Sequence, residues 1–271
     1  MMARPHWQSR TREIRDSLRG AETVLVASDF DGTLSQLVER PADAVMVPEA
    51  REALAALAAL APRVRVALIS GRSAADLAAR TRLDPERFLL VGNHGLEFLG
   101  CGMDWVHPGA GMARAALEAL AERLRHDTRG MLGVKMEDKG YSLSLHYRRL
   151  PEARHAELAA ALRDLELPGT LRRHDGKRVV EFRPALAWHK GSALRAILKA
   201  MAVADHAAVF LGDDVTDEDA FDVIRERGVT LHVGGAEVAS KARLGARDPR
   251  DAAAFLRALA GWLGASRSLP T

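Results

Sequence analysis

Residues 29–34, DFDGTL, follow the apolar run at residues 23–27, TVLVA, with only Ser28 between them. An apolar run of this length, rich in β-branched residues, is typical of a buried strand in a parallel sheet. The acidic residues and the Gly-Thr pair then lie at the carboxyl end of that strand, where open α/β sheets bind their ligands. Packing gives no reason for two acidic residues at this position. The sequence therefore predicts an active centre at Asp29 and Asp31.

Further apolar runs indicate that this strand belongs to a parallel sheet. Segments that suit buried strands recur at residues 63–69, 88–92, 207–211 and 229–233, and helical segments begin at residues 48, 76, 190 and 249. Strands that alternate with helices in this way predict an α/β fold whose core is a Rossmann-like parallel sheet.

The pattern changes between residues 101 and 185. Two helical segments, each followed by a pair of segments with alternating polarity, occupy this part of the chain: 112–126, 132–137 with 142–147, 151–165, and 171–174 with 179–183. The dipeptide Asp175-Gly176 is a strong hairpin signal. This order predicts an antiparallel sheet with helices on one face. We therefore expect an inserted α+β cap domain at residues 101–185 and a discontinuous catalytic core at residues 1–100 and 186–271.

Other polar motifs follow the predicted strands or open a predicted helix. They are Ser70-Gly71-Arg72, Lys190-Gly191 and the segment 212–217, GDDVTD. The carboxyl ends of parallel strands meet at one edge of the sheet, so residues far apart in the sequence meet there. We therefore expect one cluster of acidic residues: Asp29, Asp31, Asp213, Asp214 and Asp217.

This acidic cluster requires a cation. Two like charges about 4 Å apart repel each other by about 4 kcal/mol at an effective dielectric constant of about 20. Oxygen ligands without histidine or cysteine favour a hard ion, and a few carboxylates with waters suit Mg²⁺. We predict a Mg²⁺ site formed by Asp29, Asp213 and the backbone oxygen of Asp31, with Asp217 behind these direct ligands.

A magnesium site beside a lysine and a hydroxyl indicates phosphoryl transfer, in which catalysis is mainly positioning and charge neutralisation. Asp29 is the predicted nucleophile and would form an aspartyl-phosphate. Asp31 would protonate the leaving oxygen and then take a proton from the water that hydrolyses the intermediate. Ser70 and Lys190 are predicted to hold the phosphoryl oxygens.

Composition argues against several other classes of protein. The 39 basic and 36 acidic residues nearly cancel and aromatic residues are only 5%, so nucleic acid is not an expected partner. The chain has no run of about 18 apolar residues, so no membrane span is expected. The single Cys101 excludes an internal disulfide, and residues 1–20 lack the apolar segment of a signal peptide. We therefore expect a soluble cytoplasmic protein.

Taken together, these motifs resemble the haloacid dehalogenase superfamily of aspartyl-phosphate phosphatases, over nearly the whole chain. Within that superfamily, longer motifs are similar to those of the trehalose-6-phosphate phosphatase family: GDDVTDE at 212–218, HGLE at 94–97, EDK at 137–139, LHYR at 145–148 and GKRVVEFRP at 176–184. His189 departs from that family, which more often has Asn, Asp or Ser before the lysine. This departure lies in the predicted phosphate loop, next to Lys190.

The resemblance implies hydrolysis of trehalose 6-phosphate, with Mg²⁺ as cofactor and functional pairing with a trehalose-6-phosphate synthase. It also implies that sugar and phosphate are contacted by a set of polar residues: Arg72, His94, Glu137, Lys139, His146, Lys177, Glu181 and Asp214. From the residues alone, Glu137 with Lys139 and Lys177 with Glu181 fit a sugar site and solvent-exposed cross-strand pairs equally well.

Three other functions share part of this residue pattern. Another capped sugar phosphatase, for sucrose phosphate or a glycosylglycerate phosphate, shares the core motifs but is disfavoured by the motifs at 137–148 and 176–184. A phosphoaspartate receiver combines similar residues but is shorter, has its acidic pair after the first strand and lacks an inserted domain. A catalytically inactive sugar-phosphate-binding regulator is disfavoured by the complete catalytic set.

Overall fold

The chain folds into two compact units. In the computed structural model, which describes residues 4–163, 165–176 and 178–265, one unit comprises the chain up to Trp105 together with the chain from Trp188 onward. The other unit is Val106–Ala187. The sequence places the insertion at 101–185, and the difference at its start arises because the segment Met103–Val106 is an edge strand of the larger sheet.

The described strands are, in chain order, β1 (Val24–Ser28), β2 (Val64–Ile69), β3 (Phe88–Gly92), β4 (Glu97–Gly100), β5 (Met103–Val106), β6 (Lys135–Asp138), β7 (Leu143–His146), β8 (Leu171–Gly176), β9 (Val179–Pro184), β10 (Ala208–Gly212), β11 (Val229–Val233) and β12 (Leu244–Ala246). The described helices are α1 (Thr11–Leu18), α2 (Pro48–Ala58), α3 (Ala74–Thr81), α4 (Pro108–Asp127), α5 (His155–Arg163), α6 (Lys190–Ala200), α7 (Glu218–Ile224) and α8 (Pro249–Ala265). Within these described ranges, no helix has the length and apolar character needed to cross a membrane.

The larger unit is built on one sheet with the strand order β12-β11-β10-β1-β2-β3-β4-β5. The strands from β12 to β3 pair in parallel, and β4 pairs with β3 in the antiparallel sense. The chain runs outward from β1 in one direction and from β10 in the other, so the strand order reverses between these neighbours. Open α/β sheets bind ligands at this reversal point.

Both faces of the parallel strands are buried. Val24 and Val26 of β1 pack on one face with α2 and α8, and Leu25 and Ala27 pack on the other face with α6 and α7. A strand buried on both faces has an apolar side chain at every position, which explains the continuous apolar run at 23–27. The prediction of a Rossmann-like α/β core is confirmed.

The smaller unit is an antiparallel sheet with the order β6-β7-β9-β8. Leu143, Leu145, Val180 and Phe182 project from one face and form a separate apolar core with helices α4 and α5. Because side chains alternate along a strand, the residues between these apolar positions lie on the opposite face. The predicted order of helix, hairpin, helix and hairpin therefore matches the structure of this unit.

Several elements differ from the sequence-based expectation. The sequence pattern does not predict the strands β4, β5 and β12 or the helix α7. The strand β8 also runs through the predicted turn at Asp175-Gly176, because Gly176 still pairs with Val179. Lys177, which follows it, lies outside the described residues.

Candidate active site

Asp29 occupies the reversal point of the larger sheet. It follows β1 directly, its amide donates to the carbonyl of Leu211 in β10 at 2.8 Å, and its side chain is buried. Gly32 has a φ of +80°, and a Cβ there would lie 2.0 Å from Oδ2 of Asp213. Only glycine allows this approach. The tight turn after β1 therefore brings the loop of Asp29 against the loop that follows β10.

Lys190 links two acidic residues at the base of the site. It is the first residue of α6, and its buried Nζ donates to Oδ1 of Asp29 at 2.8 Å and to Oδ1 of Asp217 at 2.7 Å. Burial alone would lower the pKa of Lys190, but Asp217 and Asp29 raise it above its ordinary value. Lys190 is therefore a fixed positive charge that orients the predicted nucleophile.

Asp217 organises the loop after β10. Its Oδ2 accepts hydrogen bonds from the amides of Asp213 at 3.0 Å and Asp214 at 3.1 Å. In return, the carboxylate of Asp214 accepts from the amide of Asp217, which closes a capping box. Asp217 is fully buried and Asp214 is exposed. Asp217 thus fixes the position of Asp213, and the side chain of Asp214 remains on the surface.

The carboxylates of Asp29, Asp213 and Asp217 each have an oxygen atom within 4.8 Å of the others. Burial raises the pKa of Asp29 well above its usual range, and Asp217 and Asp213 raise it further against the effect of Lys190. Burial and Asp217 raise the pKa of Asp213 to about 7. Lys190 pairs with two of the three acids, whereas Oδ1 of Asp213 accepts from the Thr33 hydroxyl at 3.0 Å. This set of oxygen donors fits a hard divalent cation.

Asp31 is held by Arg72. The Nε and Nη2 atoms of Arg72 donate to the two carboxylate oxygens of Asp31, each at 2.7 Å. Nη1 donates to Asp76 at 2.7 Å, and Nη2 also donates to the carbonyl of Pro41 at 2.8 Å. The guanidinium is buried, and each of its three nitrogen atoms donates to a group within the protein. This geometry favours a role for Arg72 in positioning Asp31 over the predicted contact with substrate.

Ser70 and His94 lie together after neighbouring strands. Ser70 is buried, and its Oγ accepts from the amide of Arg72 at 3.2 Å. The amide of His94 donates to the carbonyl of Ser70 at 2.9 Å. A Cβ on Gly71 would lie 2.7 Å from Nε2 of His94, so the imidazole packs directly on the Ser70 loop. His189 precedes Lys190 at the position where the sequence departs from the family pattern. Its side chain is half-exposed, and its Nδ1 lies 3.5 Å from Oδ2 of Asp219.

The predicted sugar contacts of the smaller unit form pairs that differ from the expected ones. Nε2 of His146 lies 2.9 Å from Glu137, and Nζ of Lys139 donates to Oε1 of Glu181 at 3.0 Å. Glu181 also accepts from Arg183 at Oε2 and from Ser144 at Oε1, the latter at 3.4 Å. The four predicted residues therefore lie in two paired groups on β6, β7 and β9 and the turn after β6.

Each of four residues contacts a predicted site residue, although the sequence motifs assign it no role: Thr33, Asp76, Ser144 and Arg183. Thr33 belongs to the first motif and Arg183 to the last, so these motifs contained a usable signal. Asp76 lies one helical turn after Arg72, and the i, i+4 spacing is its only signal. Ser144 is detectable only from its cross-strand register with Glu181.

Comparison with known proteins gives a consistent result. The family model described as trehalose-phosphatase matches residues 27–252. A trehalose-phosphate phosphatase of Mycobacterium tuberculosis H37Rv is 37% identical over 241 residues, which make up 86% of this chain and 60% of that protein. A protein of the same organism described as an uncharacterized glycosyl hydrolase is 41% identical over 213 residues, which make up 76% of this chain and 16% of that protein. The chain thus spans less than two thirds of the length of either relative.

Solved structures also share the fold. The C-terminal domain of trehalose-6-phosphate phosphatase from Candida albicans superposes with a TM-score of 0.78 and 22% sequence identity. The match covers 96% of this chain and 99% of that chain. At this level of identity, the likeness establishes a common fold.

Proposed function

The chain belongs to the trehalose-phosphatase family, and we propose that it hydrolyses trehalose 6-phosphate to trehalose and inorganic phosphate. The observation that carries the chemistry is the buried pair of Asp29 and Lys190 beside Asp213. This arrangement combines a nucleophile, a fixed cation and a metal ligand at one edge of the sheet. The choice of sugar rests on family membership. A trehalose-6-phosphate synthase would supply the substrate.

The proposed reaction has two steps. In the first, an oxygen of Asp29 forms a bond to phosphorus while the bond from phosphorus to the sugar oxygen breaks, and Asp31 gives its proton to that oxygen. In the second, Asp31 takes a proton from water, and the water oxygen displaces Asp29 from phosphorus. Lys190 donates to Oδ1 of Asp29, so attack would come from Oδ2. Ser70 would hold a phosphoryl oxygen.

Mg²⁺ would be held by Asp29, Asp213 and the backbone oxygen of Asp31, with Asp217 fixing the loop behind them. The oxygen-only donor set and the raised pKa values of two of its acids support this assignment. When bound, Mg²⁺ supplies positive charge that offsets the charge of the phosphoryl group.

The smaller unit is proposed to bind the sugar. The pairs Glu137 with His146 and Lys139 with Glu181 present carboxylate, imidazole and ammonium groups, which suit the hydroxyls of a disaccharide. Further proposed substrate contacts are Lys177, His94 and Asp214. These assignments follow from the family motifs and from the pairing of the side chains.

The test is phosphate release from a substrate panel. Purified protein with Mg²⁺ is incubated with trehalose 6-phosphate, sucrose 6-phosphate, glucose 6-phosphate and a glycosylglycerate phosphate. We expect trehalose 6-phosphate to react far faster than the others, with the rate lost on chelation by EDTA and restored by Mg²⁺. Comparable rates on all four substrates would remove the proposed specificity, and a faster rate on another sugar phosphate would identify the alternative.

One variant ties the measured activity to this site. The Asp29→Asn protein should release no phosphate above background, because an amide cannot form the acyl-phosphate. The exposed Asp104 of β5 gives a matched control, and Asp104→Asn should retain the full rate. Phosphate release that survives in Asp29→Asn would exclude Asp29 as the nucleophile.

A further inference from the structure

The four-stranded sheet of the smaller unit has one face that is polar on every strand. Leu143, Leu145, Val180 and Phe182 project toward the helices. The residues between them in the sequence lie on the opposite side, which we call the polar face. Its members include the proposed sugar contacts Glu137, His146 and Glu181, and also residues of β8 that belong to none of the family motifs.

One row of this polar face crosses all four strands. Glu137 pairs with Ser144, Ser144 pairs with Glu181, and Glu181 pairs with His174. Directly opposed residues in an antiparallel sheet have Cβ atoms about 4.5–5.5 Å apart, so their side chains are neighbours. His174 therefore continues the row that contains two of the proposed sugar contacts.

The imidazole of His174 contains a buried nitrogen with no partner. Nε2 is shielded from solvent and has no hydrogen-bond partner within the part of the chain that the structure describes. A buried polar atom without a partner destabilises the folded protein. Burial, together with Arg183 and Arg172, lowers the pKa of His174. This shift favours the neutral ring, which offers one donor and one acceptor.

Arg172 adds a second observation on the same face. It stands directly across from Arg183, and like charges in this position destabilise a sheet. Arg183 donates to Glu181, whereas Nε of Arg172 is buried and has no partner among the described residues. The β8 edge of the polar face thus carries two groups whose hydrogen-bonding capacity is not used within the protein.

We propose that His174 is a further specificity-determining residue, whose Nε2 hydrogen-bonds a hydroxyl of the sugar that Glu181 and Lys139 contact. A neutral ring nitrogen matches a hydroxyl, which can donate or accept, and it does not demand a charged partner. This inference rests on the proposed function, because that function supplies the sugar. It extends the sugar site from the family motifs on β6, β7 and β9 to β8.

The test compares two substrates in four proteins. Wild type, His174→Leu, His174→Gln and the control Arg173→Gln are assayed with trehalose 6-phosphate and with p-nitrophenyl phosphate, which has no sugar. Arg173 neighbours His174 but projects from the other face. For trehalose 6-phosphate, we expect His174→Leu to raise KM about tenfold with kcat little changed, as for loss of a ground-state contact. The glutamine side chain keeps a donor and an acceptor, so KM of His174→Gln should lie close to that of wild type.

The two substrates separate a role of His174 in sugar binding from a general loss of activity. Hydrolysis of p-nitrophenyl phosphate should be the same in all four proteins, and Arg173→Gln should match wild type on both substrates. An unchanged KM in His174→Leu, or equal losses on both substrates, would overturn the role of His174. If wild type itself releases no phosphate from trehalose 6-phosphate, the proposed function fails, and the sugar assigned to His174 fails with it.

Discussion

Arg72 lies outside the proposed reacting atoms but contacts Asp31, the proposed acid and base. The carboxylate of Asp31 receives two parallel hydrogen bonds from Arg72, and Arg72 is in turn held by Asp76. A bidentate arginine–carboxylate pair fixes both the distance and the plane of the carboxylate. We therefore expect Arg72 to act as a positioning residue for the proposed acid and base.

The substitution Arg72→Lys tests this role. Lysine keeps the charge but has one nitrogen on a flexible stem and cannot reproduce the planar fork. We expect kcat for trehalose 6-phosphate to fall by about 10- to 100-fold, part of the effect of a general acid, with KM nearly unchanged. Arg80→Lys is the matched control, because Arg80 contacts Asp76 and the carbonyl of Ala42. Equal effects of the two substitutions would contradict a specific role for Arg72.

The sequence predicts which residues meet at the sheet edge better than it predicts what their side chains do there. Asp29, Asp213 and Lys190 follow strands or open a helix, so the topology of a parallel sheet is enough to bring them together. The direction of the Arg72 guanidinium depends on Asp76 and on the carbonyl of Pro41, which opens a three-residue 3-10 helix within the long loop between β1 and α2. Motif spacing contains no information on that loop.

At the level of elements, the sequence gives the weakest signal for the short strands at or next to an edge of the larger sheet. The strands β4 and β5 are each four residues long and are joined by Cys101 and Gly102, which have φ values of +52° and +74°. Two positive φ values suit the tight turn of a hairpin, and a Cys-Gly pair is a weak signal for it. Core strands such as β3 and β11 were predicted with correct bounds, because burial on both faces makes them continuously apolar.

Buried Asp251 of helix α8 forms hydrogen bonds with residues at the start of the described chain. Asp251 accepts from the indole of Trp7 at 3.0 Å and from the amide of Arg247 at 2.9 Å, and Nε2 of His6 lies 2.6 Å from it. Although burial acts to raise the pKa of Asp251, these hydrogen bonds hold it well below its usual range. The ionised form therefore stabilises the folded state.

The substitution Asp251→Asn should lower the free energy of unfolding by about 1–3 kcal/mol at pH 7. It replaces a carboxylate oxygen, which accepts hydrogen bonds, with an NH₂ group, which would face other hydrogen-bond donors. The folded-state pKa is depressed, so the stabilisation by Asp251 is present above the unfolded pKa of about 4 and is lost as pH falls below it. Urea unfolding from pH 7 to pH 3 should show the difference between variant and wild type shrinking below about pH 4. The exposed control Asp104→Asn should match wild type, and a difference that grows toward low pH would refute the assignment.

At the level of the whole molecule, each unit has its own hydrophobic core and its own optical probes. The four tryptophans lie in the larger unit and the two tyrosines lie in the smaller unit: Trp7, Trp105, Trp188 and Trp262, and Tyr141 and Tyr147. Multidomain chains often depart from two-state unfolding, because each core can melt separately. Tryptophan fluorescence therefore reports on the larger unit, whereas far-ultraviolet circular dichroism reports on both.

Truncation of a core residue in one unit should destabilise that unit alone. Phe182 is 0% exposed and belongs to the core of the smaller unit, so Phe182→Ala should cost about 3–5 kcal/mol there. We expect part of the circular dichroism signal to be lost at lower urea concentration, with the tryptophan transition unchanged. Phe210→Ala, in the larger core, should shift the tryptophan transition instead. If Phe182→Ala shifts the circular dichroism and tryptophan transitions together, the two cores unfold in one cooperative transition, and the larger unit depends on the smaller unit for its stability.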